Sequence, residues 1–213
     1  MANVTVGHAI DMVLEVLGED QTTPEHWTKE NLLNWYNLAG REVVSLAPDA
    51  NTLFEAIKLA AGVKQSIPVN RIGLIDVIRN MGVDGITPGP GITKSDSRIL
   101  TTFQRAWINA TSSAVIKNWA PESLAVFFVS PPSDGTTYVE IKVASVPDKV
   151  IYDSGGLWES ALVGVGERYV GAILSWILFR AYQKDSDFPG NDNRSKEYYQ
   201  QFRIACGAGQ GTG

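Results

Sequence analysis

Apolar residues recur at steps of three and four near both ends of the chain and at steps of two in its middle, so the pattern predicts helices flanking strands. Residues 5–17 carry the first helical pattern, which stops at Gly18, a residue suited to the left-handed position that closes a helix. Thr28 is placed to cap a second helix over 29–47, with Trp27 beside it to staple the approach of the chain. Leu32, Tyr36, Ala39, Val43 and Leu46 fall on one side of that helix, which is expected to be buried, and Pro48 stops it.

From Asn51 the period changes. Ile57, Leu59, Val63 and Ile67 alternate with Lys58, Lys64 and Ser66 around Ala60-Ala61-Gly62, the pattern of a β-hairpin. GLIDVIRNMG reads as a strand with apolar residues on both faces, and 82–91, GVDGITPGPG, reads as a loop. SDSRILTTFQRAW is expected to form a short helix capped by Ser95 or Asp96. Two further strands, LAVFFVS and TTYVEIKVASV, are joined by PPSDG; Val139, Ile141 and Val143 face one way, while Tyr138, Glu140 and Lys142 face the other. After Pro147 the helical period returns. Tyr169, Ile173, Trp176, Ile177 and Arg180 share one face of a long helix, and Tyr198, Tyr199, Phe202 and Cys206 line the last one. The end, GAGQGTG, is too rich in glycine to pack as a helix.

The order helices, strands, helices predicts an α+β fold, with a helical bundle from the N- and C-terminal helices and an inserted antiparallel β-rich unit, rather than an alternating parallel sheet. The expected divisions are 1–48 for the N-terminal helices, 49–150 for the β-rich insertion, 151–206 for a C-terminal helical hairpin, and 207–213 for a flexible tail.

Composition narrows the function. With 213 residues, 44% hydrophobic and 19% charged, the chain is long and apolar enough to fold around its own core. Its net charge is -5 and its basic residues are scattered, which argues against tight binding of nucleic acid through phosphates. One cysteine, Cys206, and two histidines, His8 and His26, argue against a disulfide framework or a zinc cluster and fit a reducing compartment. MANVTVGHAID lacks the basic start of a secretory signal, and the longest apolar run, 169–179, is shorter than the roughly 20 residues of a membrane span.

Candidate chemistry is sparse. DSDFPGNDN, 185–193, places Asp185, Asp187 and Gly190 at the first, third and sixth positions of a calcium-binding loop. Pro189 then takes the fifth position and Lys196 the twelfth, where a bidentate glutamate belongs, so an inter-helix turn is the better reading. On that reading Asn191, Asp192 or Asn193 caps the following helix. GPGITKSD lacks the Gly-Lys-Ser/Thr ending of a phosphate loop, and GVGERYVG, 164–171, lies in a helical pattern where small residues permit close packing. No nucleophile elbow or histidine metal motif occurs, so neither an enzyme, a cofactor nor a metal is predicted. His26 reads as a surface or capping residue, and the six tryptophans read by default as core, with an interface as the alternative use for some of them.

The runs LLNWYNLAGREVVSLAPDA, RIGLIDVIRNMGVDGITPG, VFFVSPPSDGTTYVEIKVASVP and FRAYQKDSDFPGNDNRSKEYYQQF, in this order, resemble the head-tail adaptor (connector) proteins of tailed bacteriophages, especially short-tailed ones. The resemblance runs from about Leu32 to Phe202. It implies a non-catalytic structural virion protein at the head-tail junction, assembled in the cytoplasm of the bacterial host. The partners it implies are further copies of itself in a ring, typically a dodecamer, the portal protein, and tail or nozzle proteins. DNA passes through without specific binding, and no membrane is involved. A stopper or nozzle protein elsewhere in the neck is the related alternative, and a calcium-binding helix-loop-helix module is the unrelated one. In such adaptors the C-terminal segment commonly docks on the portal, which by position implies Ile204, Ala205, Cys206, Gly207, Ala208, Gly209, Gln210, Gly211, Thr212 and Gly213. Here that segment is short and glycine-rich where the family pattern has a long helical extension.

Overall fold

The fold is described for residues 4–103 and 105–208 of a computed structural model. In chain order the elements are α1 (Val6–Leu17), α2 (Lys29–Leu46), β1 (Thr52–Lys58), β2 (Gly62–Ser66), β3 (Arg71–Asn80), β4 (Thr93–Lys94), α3 (Ser97–Phe103), β5 (Asn118–Pro121), β6 (Val126–Ser133), β7 (Tyr138–Ser145), α4 (Val170–Lys184) and α5 (Asn191–Ala205). The fold is α+β. The chain divides into two compact units, one built from the chain up to Asn51 and from Val146 onward, the other from Thr52–Ser145.

In the helical unit, local signals set the ends of the first two helices. The Thr5 hydroxyl accepts from His8 N–H at 3.2 Å and the Thr28 hydroxyl from Asn31 N–H at 3.3 Å, each filling one of the donors a helix start leaves unpaired. Gly18 closes α1 with φ 73°. Trp27 is buried and packs its ring 5.4 Å from that of Trp35. Leu32, Tyr36, Ala39 and Val43 are buried as the period predicts, but Leu46 is exposed. The helix ends there, and the buried Ala47 takes the inward position instead.

Helix α4 touches α1, α2 and α5, and it buries Ala172, Ile173, Trp176, Ile177 and Leu178. Helices α4 and α5 run antiparallel: Tyr182 stacks on Tyr198 at 5.6 Å and Phe179 meets Tyr199 at 5.0 Å, so a later residue on one helix faces an earlier residue on the other. Phe202, 1% exposed, anchors α5, and burial of such a ring contributes about 1.5–3 kcal/mol. Tyr199 and Arg180 are less enclosed than the helical period predicts; Tyr199 keeps one side in solvent and Arg180 is half-buried, lying over the Trp176 ring.

The segment between Val146 and α4 is pinned to α2. Asn37 accepts from Val150 N–H and donates to its carbonyl, both at 2.9 Å, and Tyr36 Oη accepts from Gly164 N–H at 3.1 Å. Gly164 is not helical, contrary to the expectation for 164–171. A Cβ there would lie 2.7 Å from Pro147 Cβ, so glycine serves close approach of two irregular segments, and α4 begins only at Val170.

The second unit holds two sheets, in the orders β1-β7-β3 and β2-β6-β5-β4. Their facing side chains, among them Val77, Val139, Ile141, Val143, Trp119, Phe127 and Val129, form one core cluster. The period-two reading of β7 holds, with Val139, Ile141 and Val143 fully buried and Tyr138, Glu140 and Lys142 half-buried.

Three expectations fail in this unit. The predicted hairpin does not form: β1 pairs with β7 and β2 with β6, in different sheets. Ala60-Ala61-Gly62 is instead a corner between sheets. The buried Gln65 side chain holds it by accepting from Ala60 N–H at 2.8 Å and donating to the carbonyls of Ala60, at 2.8 Å, and Gly62, at 3.1 Å. Gly62 has φ 105°, which side chains with a Cβ rarely adopt. Second, Pro131 and Pro132 belong to β6 rather than to the turn after it. Third, the sheets are not wholly antiparallel, because β4 pairs in parallel with β5, an element without a period of its own in the sequence. Asp96 is the cap of α3, its carboxylate accepting from Arg98 N–H at 2.7 Å.

Candidate interaction surface

The end of α5 carries the described part of the segment implied to dock. Gly207, φ 78°, turns the chain off the helix, with Ala208 N–H bonded to the Arg203 carbonyl at 2.9 Å. Ile204 is 67% exposed, and Ala205 is exposed beside it. Cys206 points inward, and burial pushes its thiol up to about 11, which keeps it protonated and unreactive. Gly209, Gln210, Gly211, Thr212 and Gly213 lie outside the described residues.

Next to this end is a recess of about 370 Å³ lined by Arg168, Tyr169, Ile204 and Cys206. Tyr169 donates its hydroxyl to Asp49 at 2.8 Å, and the Arg168 guanidinium contacts both the Asp49 carboxylate and the Tyr169 hydroxyl. The Tyr169 hydrogen bond, with the Arg168 charge behind it, holds the Asp49 carboxyl below the ordinary aspartate range. The cluster ties the segment before α4 to the short helical turn after α2. Its groups partner one another, so it works as a clamp and offers no free acid, base or nucleophile.

The turn between α4 and α5 forms the other end of α5. No side chain caps α5, contrary to the expectation for Asn191, Asp192 or Asn193, and Asn191 plays a different part. It is the first helical residue, after Gly190 at φ 92°, and its amide donates back to the Asp185 carbonyl at 3.0 Å and carboxylate at 3.1 Å. Asp192 is paired with Lys196 one turn on. Backbone bonds from Phe188 N–H to Asp185 and from Asn191 N–H to Phe188 fix Phe188 on the outside, 63% exposed. Among the described residues, no group of histidine, cysteine and acidic side chains is placed to hold a metal ion.

A third feature had no signal in the sequence. Along α2, the exposed Leu38 and Arg41, with Val146, Asp148 and Lys149 opposite, line a groove of about 390 Å³. Its floor depends on Gly40, where Pro147 Cγ lies 3.4 Å from the position of a Cβ, and on the Asn37 clasp to Val150. Glycine and proline 107 positions apart mark a close approach only once the two segments are known to meet.

Comparison with known families adds one finding. The sequence pattern of the family described as SU10 adaptor protein matches residues 4–210. No curated protein matches the chain.

Proposed function

Because this chain belongs to the SU10 adaptor protein family, we propose that it acts in a bacteriophage particle as a ring, joining the portal above to tail or nozzle proteins below and letting DNA pass through. Family membership makes it a phage adaptor protein and a component of the virion that contacts other head and tail proteins. The ring, its subunit number, the portal contact and a place in a short-tailed particle are the further content of the proposal. The match over 4–210 carries it, because that match spans both units rather than one of them.

Physical chemistry is compatible with this role. A conduit must not grip the duplex, and a chain of net charge -5 with scattered basic residues gives little counter-ion release to drive binding. Identical subunits close head to tail when each offers two unlike complementary patches. The helical unit leaves Leu38, Phe188 and Ile204 exposed on three different elements, which supports such a reading. The protein acts by assembly rather than by catalysis.

Mass photometry and negative-stain imaging of the purified chain, alone and mixed with portal protein, test the proposal. Closed rings, alone or on the portal, are the expected outcome. Monomers in both conditions would refute it, and density lower in the neck of the particle would reassign the chain as a stopper or nozzle.

A further inference from the structure

We infer that the α4–α5 turn of one subunit inserts Phe188 into the α2 groove of the next, so that a second copy of this chain is the occupant of that groove. This rests on the ring reading above and names one of its contacts. The turn is a preformed knob. Its aromatic tip is 63% exposed, backbone bonds hold it on both sides, and the Asn191 amide ties the base of the turn to Asp185. Little ordering remains to be done on binding, which is where an exposed aromatic anchor gains most.

The groove is the matching hole. A cavity of about 150 Å³ takes a benzene ring, so about 390 Å³ has room for the Phe188 ring and the neighbouring Pro189. Leu38 and Val146, 49% and 37% exposed, supply apolar walls that lose water when the ring enters. Charge favours the same pairing. Arg41 and Lys149 on the rim form no ion pair among the described residues, and with Asp148 they leave the rim one positive charge in excess. At the turn itself Asp185 and Asp187 form no ion pair among the described residues and Asp192 is paired with Lys196, while the flanking cations Lys184 and Arg194 lie over the rings of Trp27 and Tyr182, so the tip around Phe188 is left acidic by Asp185 and Asp187. Opposite potentials of this kind set orientation and register.

A subunit cannot fill its own groove. Lys184, the last residue of α4, lies 5.0 Å over the ring of Trp27, so the turn starts beside the beginning of α2. Leu38 and Arg41 lie further along α2, at about 1.5 Å per residue roughly 13–18 Å from that end. Knob and hole are thus separated within the helical unit, which is the arrangement a head-to-tail contact needs.

The test follows assembly of the full chain by mass photometry over a concentration series, alone and with portal protein. Phe188→Ala is expected to raise the concentration for half assembly about tenfold or more, with an unchanged thermal melt because the ring is exposed. Asp187→Lys and Lys149→Glu are each expected to weaken assembly, and the double variant to recover it, since the swapped charges meet across the contact. If wild type assembles and Phe188→Ala and Lys149→Glu assemble equally well, this contact is overturned while the ring stands. If wild type stays monomeric in both conditions, the ring fails, and the contact falls with it.

Discussion

The helical unit and the β unit differ in where their ordering information lies. Helices α1 and α2 begin at residues whose own side chains bond three positions ahead, Thr5 to His8 and Thr28 to Asn31. The strands find partners far away: Thr52 of β1 lies opposite Ala144, and Gly73 of β3 lies opposite the same residue from the other side. A sequence window of ten or twenty residues contains the first kind of instruction and omits most of the second. The contrast also predicts how damage should spread. A broken cap should be felt in one helical turn, and a broken corner in two sheets.

Gln65→Ala should show the larger effect. The substitution removes three hydrogen bonds at Ala60-Ala61-Gly62 and a buried side chain, a loss of about 1–3 kcal/mol. Chemical denaturation should report that loss. Hydrogen exchange should show protection falling in β1 and β2 together, because the corner fixes both, while α1 and α2 keep theirs. Loss confined to residues 60–62 with stability unchanged would mean that strand pairing alone sets the corner.

The failed hairpin has the same origin. Alternation at Ile57, Leu59, Val63 and Ile67 is real, and each of these side chains is buried or half-buried. Alternation states which face of a strand is covered and is silent on the partner strand, so β1 and β2 were legible as strands and illegible as members of two sheets. The parallel pair β4 and β5 is two to four residues long, too short to show a period. Helical boundaries at Thr28 and Gly18 were readable because the cap is in the sequence. Of the candidate surface, the DSDFPGNDN turn was readable through Pro189 and Gly190. The α2 groove was not, since it exists only where Pro147 meets Gly40.

Thr28→Ala should sit lower on the scale. It strips one acceptor from the first turn of α2, at about 1 kcal/mol, and exchange should quicken at Asn31 without spreading to the strands. If β-unit amides quicken as well, the two kinds of ordering are coupled more tightly than the contrast allows.

The smallest effect tests whether locality or strand content makes a feature legible. Asp84 lies in the loop after β3, yet its instructions are local: its carboxylate accepts from Ile86 N–H and Thr87 N–H at 3.0 Å each and from the Thr87 hydroxyl at 2.6 Å. The Thr87 hydroxyl first, and then the two backbone donors, pull its pKa down to about 2. Because the folded value lies below that of an unfolded aspartate, near 3.9, the stabilising contribution is complete above that value and fades as pH falls through about 2. Carboxyl NMR should give a midpoint near 2 for Asp84, with the Ile86 and Thr87 amides titrating alongside, and Gln65→Ala should leave all three unmoved. A midpoint that rises in that variant would mean the loop depends on the corner between sheets, and that even its Asp-x-x-Thr turn is ordered from a distance.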